Sequence, residues 1–122
     1  MELSSIVNSC EKLIHAQSYS FKELPNEISA IKLDFETFSC FIRCIEDSDE
    51  IELSDTDKFD GLIATNYSLL LQNCFGSKLR WAWMLVNNQG YYDGLRFEFD
   101  NSQIIELVVL ASSIKQFSVN EL

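Results

Sequence analysis

The densest concentration of reactive groups in the sequence is a carboxylate tract. Glu46, Asp47, Asp49, Glu50, Glu52, Asp55, Asp57 and Asp60 stand close together, with Lys58 the one cation among them. Acids at such spacing raise a calcium loop first, because hard cations take oxygen ligands from fixed positions. Counted from Asp47, Ile51 falls on the fifth ligand position and Lys58 where the bidentate Glu belongs. Counted from Asp55, Phe59 fails in the same way and no Gly follows it. The EF-hand signature is therefore absent, and the sequence offers no metal site. Two roles suit the tract: a solvated hairpin that blunts an edge strand, or a negative surface presented to a cationic partner. In the second role Asp47, Asp49, Glu50, Glu52, Asp55 and Asp57 mimic phosphate charge and pair with Lys and Arg of that partner. Next in line is the polar run Asn87–Gly94, where Tyr91, Tyr92 and Asp93 precede Arg96. Tyr and Arg anchor interfaces more often than most residues, although hairpin chemistry also explains the Asn, Asp and Gly.

Catalytic chemistry finds less to work with. His15 is the only histidine, and spacing supplies neither an orienting acid nor a nucleophile for it. Cys40 and Cys44 share one face of an expected strand, where core packing is the natural role of both thiols. No Gly-rich phosphate loop, G-x-S-x-G elbow or H-E-x-x-H is present. The expectation is a protein with no catalytic residues and no cofactor.

Charge narrows the partners. Nineteen acidic residues against nine basic ones leave a net charge of −10. A surface of that sign repels phosphates, which disfavours nucleic acid and anionic membranes and suits a basic protein. The first residues lack the basic and apolar regions of a signal peptide, and no apolar run reaches the roughly 20 residues that span a bilayer. Four cysteines without a C-x-x-C fit reduced, mostly buried thiols, and a cytoplasmic location. With 47% hydrophobic residues in 122, the chain has ample material for one core, and residues 1–122 are expected to form one domain.

The elements that must position these residues follow from periodicity. Ser4 or Ser5 is a plausible N-cap, and Ile6, Val7, Cys10, Leu13 and Ile14 predict an amphipathic helix of roughly three turns to Gln17. Ser18–Asn26 reads as loop. Ile31, Leu33 and Phe35 alternate with charged residues in a half-buried strand, and Ser39–Ile45 forms a more deeply buried one. Glu46–Asp49 is a turn, and Ile51 and Leu53 mark a short edge strand. Asp55–Ala64 carries no clear period. Thr65 or Asn66 can cap a short helix over Ser68–Cys74, with Gly76 just beyond its end. From Lys78 the chain predicts a consecutive antiparallel meander. Trp81–Val86 is apolar on both parities and therefore expected to be central, covered by the helix. The hairpin is placed at Asn88–Gly90, with Gly94 at a bulge or close backbone approach. Leu95, Phe97 and Phe99 point inward, Ile104–Leu110 is buried on both faces, and Ile114–Val119 closes the run.

Trp81-x-Trp83, Asn88-Gln-Gly-Tyr-x-Asp-Gly94, Phe97-x-Phe99 and Ala111-Ser-Ser-Ile-Lys115 resemble a family of small bacterial α+β domains without an assigned activity. That likeness covers the C-terminal half and implies a fold more than a function. In length, acidity and lack of an active site the chain is also similar to immunity proteins of contact-dependent and other polymorphic toxin systems. Such proteins neutralise a basic nuclease toxin by covering its active site or substrate groove. The sequence thus predicts an α+β domain: an N-terminal helix packed on one face of a mostly antiparallel sheet of about six or seven strands. Its expected role is a non-enzymatic inhibitor of a basic toxin domain, most plainly a nuclease. The alternative is a small housekeeping domain, homodimeric through an exposed sheet edge, without a toxin partner.

Overall fold

Alternation of buried and exposed side chains dominates the computed structural model, which describes residues 1–119. One short helix, α1 (Leu3–Ser9), is followed by nine strands. These are β1 (Leu13–Phe21), β2 (Ala30–Phe35), β3 (Ser39–Ile45), β4 (Glu50–Ser54), β5 (Leu62–Thr65), β6 (Leu79–Val86), β7 (Tyr92–Phe99), β8 (Ile104–Leu110) and β9 (Ser113–Val119). They form two antiparallel sheets, one of five strands ordered β4-β3-β2-β1-β5 and one of four ordered β6-β7-β8-β9. The chain is thus α+β with mostly antiparallel sheet and a short N-terminal helix. The strands are more numerous than expected and are divided between two layers.

The layers share one core. Ile31, Leu33, Cys40, Ile42 and Ile51 from the first sheet meet Leu95, Phe97, Phe99, Ile105 and Leu107 from the second, all but excluded from solvent. The C-terminal meander is present in the order predicted, and Leu95, Phe97 and Phe99 point inward as expected. Truncating a ring such as Phe97 in a core of this kind costs about 3–5 kcal/mol.

Several expectations are corrected. The helix ends at Ser9, because Cys10 turns the chain with a left-handed φ of 56°. Leu13–Phe21 is then a strand, not a helical end followed by a loop. Leu13 fitted the helical period, but Ile14 is solvent-exposed, and Ala16, Ser18 and Ser20 fill the interior side of β1. Small and polar inward residues hide a strand from a reading of hydrophobic alternation. Ser18 is satisfied by the Thr65 hydroxyl at 2.8 Å, and Ser20 donates to the Glu27 carbonyl. β3 alternates and is no more deeply buried than β2, and β8 alternates rather than being buried on both faces. The helix expected over Ser68–Cys74 is a 3-10 turn, Leu70–Cys74, whose first amide donates to Gln116 Oε1 at 2.7 Å rather than to a capping Thr65 or Asn66. β6 is an edge strand rather than a central one, and α1 lies along it.

The hairpin falls at Asn87–Tyr91, where the Gly90 amide bonds to the Asn87 carbonyl at 3.0 Å. Gly94 sits beside an irregularity in the β6–β7 pairing. A Cβ there would stand 3.0 Å from the Leu107 carbonyl oxygen, so the close approach is real.

One connection is set by topology. β4 and β5 occupy opposite edges of the five-stranded sheet, so residues 55–61 must cross it. Phe59 pins that strap, with its ring 4.9 Å from Tyr19 and 5.4 Å from Phe41. Arg43 adds a hydrogen bond to the Lys58 carbonyl at 3.2 Å.

Candidate partner-binding site

The site assembles at one end of the two sheets, where four connections converge. β3 ends and β4 begins at the turn 46–49. The Asp49 carboxylate accepts hydrogen bonds from the Ser112 amide and hydroxyl, both at 3.1 Å, which ties that turn to the β8–β9 connection. The end of β8 runs beside the beginning of β7, since Gly94 pairs with Val108. The β6–β7 hairpin therefore lies at the same end. The strap returns here as well, through Asp60 and Gly61 into β5, whose Leu62 pairs with Phe21.

Each residue expected to bind a partner has a definite place. Asp47 is exposed on the turn and Glu50 is half-buried at the start of β4. Neither makes a side-chain hydrogen bond or ion pair among the described residues. Asp49 is instead occupied with Ser112, which makes it a structural residue in this fold. Glu52 lies in mid-strand, 3.7 Å from Lys58. Asp55 and Asp57 are exposed at the opposite end, where the strap begins, and Asp57 Oδ1 accepts the Phe59 amide at 3.0 Å. Tyr91 and Tyr92 are exposed, while Asp93 is half-buried and accepts from the Asn87 amide group at 3.4 Å. Asp47, Asp49, Glu50, Tyr91, Tyr92 and Asp93 thus lie at the same end of the two sheets, with Asp55 and Asp57 apart from them.

Residues that the sequence did not single out complete this surface. Val86 and Leu110 are exposed beside the tyrosines at the ends of β6 and β8. Along the open side between β4 and β6, a shallow groove is floored by Leu3, Ile51, Leu53 and Met84 and includes Glu2 and Glu52. Apolar floor with a charged margin is the anatomy of a protein interface. The missed signal is an edge effect: an apolar run that opens a meander has a strand neighbour on one side only.

Groups suited to reaction are arranged differently. His15 is exposed on β1 with Nδ1 3.6 Å from Asp34 Oδ2, and Ser39 donates to Asp34 Oδ1 at 2.6 Å. The acid stands between histidine and hydroxyl, whereas nucleophile activation needs histidine between the other two. Burial pushes the Cys40 thiol up to about 12, helped by the charge of Asp55. Burial likewise raises Cys44 and Cys74 to about 11, with Asp49 and Glu46 adding to the effect at Cys44. A thiol held protonated in this way is a poor nucleophile. Among the described residues, no group of three or more His, Cys, Asp or Glu is placed to hold a metal ion. No described helix is long and apolar enough to cross a membrane.

Fold and surface together define a two-sheet α+β domain with an acidic, tyrosine-bearing end. The chain belongs to DUF6334, a family of unknown function, whose pattern matches residues 5–122. Comparison with curated proteins and with solved structures finds no match.

Proposed function

We propose that this chain is a non-enzymatic immunity protein that binds and neutralises a basic bacterial toxin domain, a nuclease, in the cytoplasm. One observation carries the reading: acids with no cationic partner among the described residues, Asp47 and Glu50, lie at the same end of the two sheets as exposed Tyr91 and Tyr92. Carboxylates of this kind steer a cationic partner into contact, and the tyrosines supply the desolvated anchors that hold it. The net charge of −10 extends the same attraction to longer range. The acids then occupy the positions of substrate phosphates on the toxin, which excludes nucleic acid from its groove.

The test is recovery of the tagged chain from its native host at low and at high salt. The expected result is a stoichiometric basic protein, retained at low salt, toxic when expressed alone and harmless when co-expressed with this chain. Recovery without any such protein at either salt would overturn the reading.

A further inference from the structure

The outer face of the four-stranded sheet lies away from the acidic end's charge and has a different character. Strand register places Trp83, Arg96, Glu106 and Phe117 in one row across it, in the order β6, β7, β8, β9. Trp81 is 56% exposed, Trp83 43% and Phe117 45%. The centre of the row is an ion pair, Arg96 Nη1 to Glu106 Oε2 at 3.6 Å, and the Arg96 guanidinium lies 5.5 Å from the Trp83 ring centroid. Arg96 Nε is buried without a hydrogen-bond partner among the described residues. Within the row the charges of Arg96 and Glu106 cancel, and Lys115 at the margin of this face pairs with Glu27 at 3.9 Å, although the chain as a whole carries −10.

We infer that this face binds a second copy of the same chain, forming a two-fold dimer. Copies of a strongly acidic molecule repel one another, so association is favoured where local charge cancels. This face is also self-complementary. A two-fold axis along the strands, midway between β7 and β8, lays β6 of each copy over β9 of the other. Trp83 then meets Phe117 and Arg96 meets Glu106, each contact occurring twice, as an isologous interface requires. Four strands spaced about 4.8 Å apart and about seven residues long present roughly 450 Å² per copy. Doubled, that is about 900 Å², below the size of a stable specific interface and in the range of a weak one, so the dimer exchanges with monomer at accessible concentrations. The acidic end stays open in this arrangement, and the inference stands independently of the toxin partner.

Sedimentation across a dilution series tests it, read alongside tryptophan emission, because both tryptophans of the chain lie on this face. Wild type is expected to approach twice the 14.0 kDa chain mass as concentration rises, with emission shifting to the blue. Arg96→Glu and Glu106→Arg should each weaken dimerisation by at least roughly tenfold, because like charges then face across the axis. Mixed in equal amounts, the two variants restore opposite charges at both contacts, and the mixture should dimerise where neither variant does. That rescue requires folded chains and does not follow from loss of the internal ion pair. Phe117→Ala, at an exposed position, should weaken the dimer without charge change. A wild type that stays monomeric throughout would overturn the inference, as would a dimer indifferent to Phe117→Ala and to both charge reversals. Emission that shifts only when a basic protein binds would assign the face to that protein and equally overturn it.

Discussion

Asp49 shows how a residue's environment reassigns its role. By type and position it belongs with the acids that would meet a cationic partner, yet its carboxylate is spent on the Ser112 amide and hydroxyl. Asp49→Ala should therefore cost about 1 kcal/mol of stability, lowering the urea midpoint. Asp47→Asn should leave that midpoint in place and instead slow association with a cationic partner, most visibly at low salt. Equal stability losses in the two variants would refute this division. Cys10 is the converse case, a side chain at a backbone position that favours glycine. Its left-handed φ follows directly on α1, so Cys10→Gly should raise stability by about 1 kcal/mol in the same denaturation assay. Cys10 is also the one exposed thiol among the four cysteines, the other three being buried. A thiol reagent should modify one group rapidly in the native protein and all four after denaturation.

At the scale of elements, legibility depended on how plainly each strand displays its pattern. β2, β7 and the hairpin between β6 and β7 could be read directly, since apolar and charged residues alternate and Gly90 marks the turn. β1 could not, because Ser18 and Ser20 face inward and satisfy their hydroxyls there. β5 was equally hidden, being four residues long and placed only by its pairing with β1. The β8–β9 turn carries neither Asn nor Gly, although Ala111 and Ser112 both have positive φ, at 52° and 63°. Two-residue hairpins of that geometry prefer Asn-Gly. Ala111→Asn should relieve part of the strain and stabilise the chain by about 1 kcal/mol, measured by thermal unfolding. Gly94→Ala should act in the opposite sense. Its Cβ would crowd the Leu107 carbonyl and the Leu85 side chain, which predicts a loss of about 1–3 kcal/mol.

The whole molecule couples its core to alkaline pH. Cys40, Cys44 and Cys74 titrate at about 12, 11 and 11 in the fold, against an ordinary value of 9.0. A raised pKa in the folded state means that folding favours the protonated thiol. The associated stability is complete below pH 9.0 and declines as pH rises toward 11–12, because only the unfolded chain ionises freely over that interval. The melting temperature should therefore fall more steeply above pH 9.0 in wild type than in Cys44→Ala, measured against each protein's own value at pH 8.

Composition and periodicity alone determined the α+β character, the consecutive C-terminal meander, the inward set Leu95, Phe97 and Phe99, and the acidity of the segment after β3. These are local properties: a two-residue repeat fixes which side chains face a core wherever the sheet lies, and charge is a sum over residues. Only the tertiary structure decided that the strands split into two layers, that β6 lies at an edge with its tryptophans in solvent, and which acids find partners among the described residues. Each of those depends on contacts between residues distant in sequence. Asp49 meets Ser112, β5 meets β1, and residues 55–61 cross a sheet whose strand order the chain does not spell out. The apolar run Trp81–Val86 reads the same whether a strand covers it or water does, and pairing on one side only leaves it exposed.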